Sequence, residues 1–219
     1  MDCKSCLHLP QLGKLPALKD LRILNMCRVI YVDEEPKDGG VAGGFTKLAV
    51  LMLVDLRNLV RLSREEDKEN IFPCLSRLQI TKFPKLSGLP CLPYLNDLRI
   101  EGKCNQDLIS SIHKLGSLES LRFKDNEDIT CFPDGMLQNL TSLKILDIYG
   151  LFKLEQLPTE IIYLTAIQEI HITDCENLEP LTDEVLQGLH SLKLLEIVRC
   201  QKFDTELLKN KRFRRDLTT

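Results

Sequence analysis

Apolar residues recur along this chain as a short motif, Leu-x-x-Leu-x-Ile, rather than as the long stripe of an amphipathic helix. It occurs at Leu18-Leu21-Ile23, Leu48-Leu51-Leu53, Leu75-Leu78-Ile80, Leu95-Leu98-Ile100, Leu118-Leu121-Phe123, Leu143-Leu146-Ile148, Ile167-Ile170-Ile172 and Leu192-Leu195-Ile197. In every copy but the second, which ends Leu51-Met52-Leu53, the last three positions alternate apolar and polar, which marks a short strand with one buried face. The copies are spaced 30, 27, 20, 23, 25, 24 and 25 residues apart. Irregular periods of this size fit leucine-rich repeats, whose units bury their leucines only by stacking. The expected fold is therefore an α/β repeat: a leucine-rich-repeat solenoid, or horseshoe. Its concave side is a parallel sheet, and its convex side is irregular with short helices.

The apolar signal extends past each strand. Six residues beyond the third apolar position stand Val29, Leu59, Leu86, Ile129, Leu154, Leu178 and Phe203. After Ile100 the pattern breaks at Glu101-Gly102-Lys103-Cys104. Gln106–Leu115, Asp134–Leu140, Glu160–Leu164 and Asp183–Leu189 are expected as short helices or 3₁₀ turns. The segments after Ile23 and Ile80 are expected to be irregular. Asp33–Gly44 and Ser63–Asn70 read as solvated loops, the first glycine-rich and the second densely charged. Residues 1–17 look like the tail of a repeat whose strand is missing. Residues 18–203 hold the eight repeats, starting near 18, 48, 75, 95, 118, 143, 167 and 192. Residues 204–219 form a basic cap or tail. An open first sheet edge leads us to expect a fragment of a longer chain, or a product starting at an internal Met.

Composition narrows the function. The 219 residues are 43% hydrophobic and 28% charged, with a net charge of −3, the balance of a folded chain. That charge gives no general attraction to nucleic acid or anionic lipid. No apolar run is long enough for a membrane helix, and the N-terminus has no secretory-signal pattern. Nine cysteines, an odd count, point to a reducing compartment, expected to be the cytoplasm, with the nucleus or a peripheral membrane position through further domains as alternatives. Cys175 and Cys200 fall at the ninth template position, and Cys27 and Cys104 one residue later. All four read as small buried groups donating weakly to backbone carbonyls. Cys3-x-x-Cys6 lacks a second pair at zinc spacing. Asn139-Leu140-Thr141 is read as an accidental sequon.

The residues Cys3 to Leu21 resemble a specific pattern, Cys-x-x-Cys-x-x-Leu-Pro-x-Leu-Gly-x-Leu-Pro-x-Leu-x-x-Leu. Phe72-Pro73-Cys74-Leu75-Ser76-Arg77-Leu78 and Ile172-Thr173-Asp174-Cys175-Glu176-Asn177-Leu178 resemble two further forms. These are similar to the C-terminal repeats of plant intracellular nucleotide-binding leucine-rich-repeat disease-resistance proteins of the coiled-coil class. The resemblance implies a sensor that binds a pathogen effector or a guarded host protein. It also implies repeats that hold a nucleotide-binding module in its off state. This chain has no Gly-x-x-x-x-Gly-Lys-[Ser/Thr] loop, so nucleotide binding does not carry over.

Catalysis has no candidate: the four histidines are scattered and lack a nucleophile within reach of a base. No cofactor, metal, nucleic acid, membrane or small-molecule ligand is expected. The expected partner is a protein: an effector, a host protein, or the nucleotide-binding module of a full-length receptor. Template positions 3, 5 and 7 should face outward from the sheet. The candidate binding face is Arg22, Val50, Met52, Val54, Arg77, Gln79, Arg99, Arg122, Lys124, Asp147, Tyr149, Glu169, His171 and Glu196. Its middle looks basic, around Arg77, Arg99, Arg122 and Lys124, and it turns acidic toward Glu196. Val50, Met52 and Val54 with Leu24 form an apolar patch, unless the long loops cover it. A stand-alone repeat scaffold or decoy, or the repeats of a ubiquitin-ligase substrate adaptor, are the alternative readings.

Overall fold

The computed structural model describes residues 6–33, 44–64 and 71–203. Within them, eight strands form one wholly parallel sheet. They are β1 (Asp20–Leu24), β3 (Val50–Val54), β5 (Arg77–Phe83), β6 (Asp97–Cys104), β7 (Ser120–Lys124), β8 (Ile145–Tyr149), β9 (Glu169–Thr173) and β10 (Leu194–Val198), adjacent in that order. Each strand pairs with that of the next repeat, so the chain winds as a solenoid.

Register along the leucine row is uniform. Leu21, Leu51, Leu78, Leu98, Leu121, Leu146, Ile170 and Leu195 stand opposite one another along the sheet. A slip of one residue would turn this row to solvent, so burial itself holds the register. Leu51, Leu78, Leu98, Leu121 and Ile170 are fully buried. Leu21, on edge strand β1, is only partly so. The rows that follow complete one continuous core, with Val29, Leu59, Leu86, Leu154 and Leu178 all at zero exposure.

Every repeat carries the same backbone device. Asn25, Asp55, Lys82, Gly102, Asp125, Gly150, Asp174 and Arg199 all have φ between 52° and 77°. All eight occupy template position 8. A left-handed residue there follows the last strand residue directly in six repeats, and in β5 and β6 it lies within the strand, at the register shift. Asn, Asp and Gly tolerate that conformation, and they fill six of the eight places. The amides of Asn25, Asp55, Asp125, Gly150 and Asp174 then bond to the carbonyl at template position 7 of the next strand, at 2.9–3.0 Å.

The descending side is mixed. Helix α1 (Gln106–Ser110) continues into a 3₁₀ turn at Ser111–Lys114, Thr159–Tyr163 is 3₁₀, and α2 (Asp183–Gly188) is a short helix. Asn105 and Thr182 cap the two helices, accepting from the amides of Leu108 and Val185.

Four expectations are corrected. Residues 134–140 form turns, not a helix. The segment after Ile23 is not wholly irregular: β2 (Tyr31–Asp33) pairs in parallel with β4 (Arg61–Ser63) as a second, two-stranded sheet. Asp33 and Ser63 consequently belong to strands and are buried, at 8% and 6% exposure, rather than lying in solvated loops. The irregular stretch after Ile100 extends β6: a register shift opposite Thr81 and Phe83 brings Cys104 level with Phe83. That bulge explains why Cys104 sits one place late in the template. Residues 34–43 and 65–70 of the two expected loops, and the basic tail at 204–219, lie outside the described residues.

Candidate functional site

The face of the sheet opposite the leucines carries three rows of side chains. The central row runs Arg22, Met52, Gln79, Arg99, Arg122, Asp147, His171 and Glu196, each opposite the next. On one side of it stand Val50, Arg77, Asp97 and Glu169, and on the other Val54, Glu101, Lys124 and Tyr149. Arg22, Arg77 and Tyr149 are exposed; the other candidate residues are half-buried.

Parallel pairing sets opposite charges side by side, and they couple. Arg77 donates to Asp97 across the strands at 3.0 Å. Arg99 grips the same carboxylate from its own strand, with bonds of 3.1 and 3.0 Å. Arg122 reaches Asp147 on β8, its Nε 2.9 Å from Oδ2. Lys124 lies 3.7 Å from Glu101 and 5.7 Å from the Tyr149 ring centre, a cation–π contact. The middle of the face is therefore a ladder of ion pairs rather than a bare basic patch. Asp97, on the same flanking row as Arg77, is its hub. Its side chain keeps 14% of its exposure, against 39% for Arg99 and 55% for Arg77. The signal was available, since Asp97 sits at template position 3. What the sequence alone did not pair was one carboxylate with two arginines.

The C-terminal part is organised around His171. Its Nδ1 is 2.8 Å from Glu196, its Nε2 is 3.3 Å from Glu169, and Asp147 stands at 4.0 Å. Partial burial opposes a charge on the ring, but the hydrogen bonds from Glu196 and Glu169 overcome it and raise the pKa above 6.5. At the strand ends, Arg199 brackets Asp174 with two hydrogen bonds. This pairing, with a bond from Tyr149, holds the carboxyl of Asp174 below its usual range.

At the other end, Val50, Met52 and Val54 are half-buried and Leu24 keeps 48% of its exposure. The loops expected to cover them lie outside the described residues. Among the described residues, no group of three or more His, Cys, Asp or Glu side chains is arranged to hold a metal ion, and no helix is long and apolar enough to cross a membrane.

Two thiols follow the last two strand ends. Cys175 donates to the carbonyl of Thr173, and Cys200 to those of Val198 and Ile172. Burial pushes the Cys104 thiol up to about 12, so it stays protonated near neutrality.

A stacked parallel sheet, a buried apolar row running across its strands and a left-handed residue at the same place in every repeat define a leucine-rich-repeat solenoid. The family profile "Plant disease resistance protein RPS2-like, leucine-rich repeats" matches residues 62–201. The chain belongs to that family. Among curated relatives, the putative disease resistance protein RGA4 of Solanum bulbocastanum is 35% identical over 146 residues, covering 65% of this chain and 15% of that protein. The putative disease resistance protein RGA1 of the same species is 31% identical over 160 residues, covering 73% and 16%. The chain thus spans about a sixth of the length of these relatives. Among solved structures, the leucine-rich repeat domain of the type III effector XopL superposes with a TM-score of 0.61 at 20% identity, covering 91% of this chain and 68% of that one. Human 5T4 does so at 0.50 and 20% identity, covering 71% and 61%. These two likenesses establish the fold alone. The disease-resistance repeats described here form a defence-related leucine-rich-repeat module.

Proposed function

We propose that this repeat module recognises a protein through the solvent face of its sheet, as the sensor region of a plant immune receptor. The observation that carries the reading is the central row from Gln79 to Glu196. Six consecutive strands present polar side chains in register, on a rigid sheet whose opposite face is fully committed to the core. Such a row can read a partner by charge and hydrogen bonding without rearranging the scaffold. Its ion pairs are half-exposed and individually weak, so a partner's charges can replace them. The ligand class is a protein, either an effector or a host protein. The same repeats restrain a nucleotide-binding module elsewhere in the receptor. Ligand binding releases that restraint by favouring one of two states, which requires different affinities for the two.

The test has two arms. An antibody to residues 160–184 is used on source tissue, and peptides of the recovered band are read by mass spectrometry. Peptides from a nucleotide-binding module in the same chain are expected. A band near 25 kDa alone, the mass of this chain, would remove the restraint from the reading. That module, expressed separately, is then captured on this chain and on the Arg99→Gln/Arg122→Gln variant. Glutamine keeps a donor and avoids setting a carboxylate against Asp97 or Asp147. Capture is expected to fall at least about tenfold with the circular dichroism spectrum unchanged, a loss near 1.4 kcal/mol. Equal capture by a folded variant would exclude this face.

A further inference from the structure

Cys175 and Cys200 hold the same place in consecutive repeats. Each follows by two residues the end of its strand, and those ends, Thr173 and Val198, are register partners. The two thiols therefore sit side by side across the last strand pair, one repeat apart. Their hydrogen bonds lean the same way. Cys175 Sγ is 3.5 Å from the carbonyl of Thr173, and Cys200 Sγ is 3.5 Å from that of Val198. Cys200 also reaches across to the carbonyl of Ile172 on β9, at 3.9 Å. Elsewhere on this ladder a thiol faces something else: Cys104 stands between Phe83, its register partner, and the amide of Asn126.

Neighbouring parallel strands lie about 4.8 Å apart, inside the Cα separation a disulfide spans. Access is graded across the pair, since Cys175 is fully buried while Cys200 is half-buried. Packing alone would be served by any small apolar residue, and Leu151 fills the same place one repeat earlier.

We propose that Cys175 and Cys200 are a peroxide-sensitive thiol pair, oxidised to a disulfide that staples β10 to β9. The half-buried Cys200 reacts first. Its thiolate attacks one oxygen of hydrogen peroxide, the O–O bond breaks, and the expelled hydroxide leaves as water with the thiol's proton. Cys200 is then a sulfenic acid. Cys175 attacks that sulfur, the S–S bond forms, the S–O bond breaks, and the second hydroxide leaves as water with the proton of Cys175. Two thiols and one peroxide give one disulfide and two waters. The staple closes a 25-residue loop and holds the last strand of the sheet against fraying. The neighbouring Cys200 thiol and burial together raise the Cys175 thiol, which makes it the resolving partner and not the peroxide-reactive one.

The full chain is treated with equimolar hydrogen peroxide in a Cys74→Ser/Cys91→Ser/Cys131→Ser background, which removes three exposed thiols. Free thiols are blocked and the digest is mapped by mass spectrometry. A peptide joining Cys175 to Cys200 is expected, together with a rise of a few degrees in the unfolding midpoint that reductant reverses. In Cys175→Ala, Cys200 should instead be trapped as a sulfenic acid by a dimedone probe. Recovery of both as free thiols while other cysteines are oxidised would overturn the proposal, as would sulfinic acid at Cys200 without the cross-link. The mapping needs no substitution at either cysteine, so a folding defect in Cys175→Ala leaves the test intact.

Discussion

Asn126 donates its side-chain amide to the carbonyl of Gly102, one repeat earlier, at 2.9 Å. The same nitrogen lies 3.1 Å from Cys104 Sγ, and its oxygen accepts from the amides of Asp128 and Ile129. One side chain, only 2% exposed, thus completes the bulge in β6 and the descending turn of the next repeat.

Replacing Asn126 by alanine leaves that carbonyl and two amides without their partner in a nearly closed site. Each unsatisfied buried group costs about 1–3 kcal/mol. Relaxation toward water recovers part of this, so Asn126→Ala should destabilise by about 2–4 kcal/mol. Urea unfolding should show a lower midpoint with an unchanged slope. A loss under about 1 kcal/mol would mean the bulge holds itself.

The shared left-handed position predicts opposite effects at equivalent places. Gly150 has φ of 66°, and a Cβ there would meet Asp125 Oδ1 at 2.7 Å. Gly150→Ala should therefore cost about 1–2 kcal/mol from backbone strain alone. Lys82, at φ 65° and exposed, already bears that strain. Lys82→Gly should stabilise by about 0.5–1 kcal/mol, because the relief exceeds the added chain entropy. Thermal unfolding of the two variants beside the parent checks the sign of each.

The strand rows were readable because an apolar pattern, repeated eight times, specifies both register and face. The left-handed positions were equally present, as Asn25, Asp55, Asp125 and Asp174 beside Gly102 and Gly150. They are not apparent from the apolar positions, and Lys82 and Arg199 break the residue-type pattern. The pairing of β2 with β4 was out of reach, since three residues are too few to show an alternation. Charges on the outer face were assigned to the right side of the sheet, but their partners depend on distance. Nothing in the order of residues says that Asp97 turns to Arg77 and Arg99 together.

That hub gives a graded prediction. Arg77→Ala removes one half-exposed partner and should cost less than about 0.5 kcal/mol, the usual worth of a surface pair. Asp97→Ala leaves Arg77 and Arg99 facing each other, with Arg122 on the next strand, and should cost about 1–2 kcal/mol. The excess of the second loss over the first should shrink in 1 M salt, where charges beyond about 3 Å are screened. Equal losses at both salt concentrations would assign the effect to packing of the Asp97 stem.

His171 makes the outer face respond to pH. Three carboxylates surround the ring: Glu196 and Glu169 within hydrogen-bond reach, and Asp147, itself engaged by Arg122, at 4.0 Å. Burial favours the neutral ring, and the carboxylate contacts favour the cation more, so the folded value lies above the unfolded 6.5. The sign follows from linkage: the folded state binds the proton more tightly, and the stabilisation is fully present below pH 6.5. It disappears as the pH rises through the folded value. His171→Gln should therefore lose stability relative to the parent at pH 6 and little at pH 9. An NMR titration of the His171 ring should give a midpoint above 6.5 in the parent. Glu196→Gln should lower it, because the bond to Glu196 is the strongest contribution raising it. A parent midpoint at or below 6.5 would show that desolvation wins, and the stability difference should then be absent at pH 6.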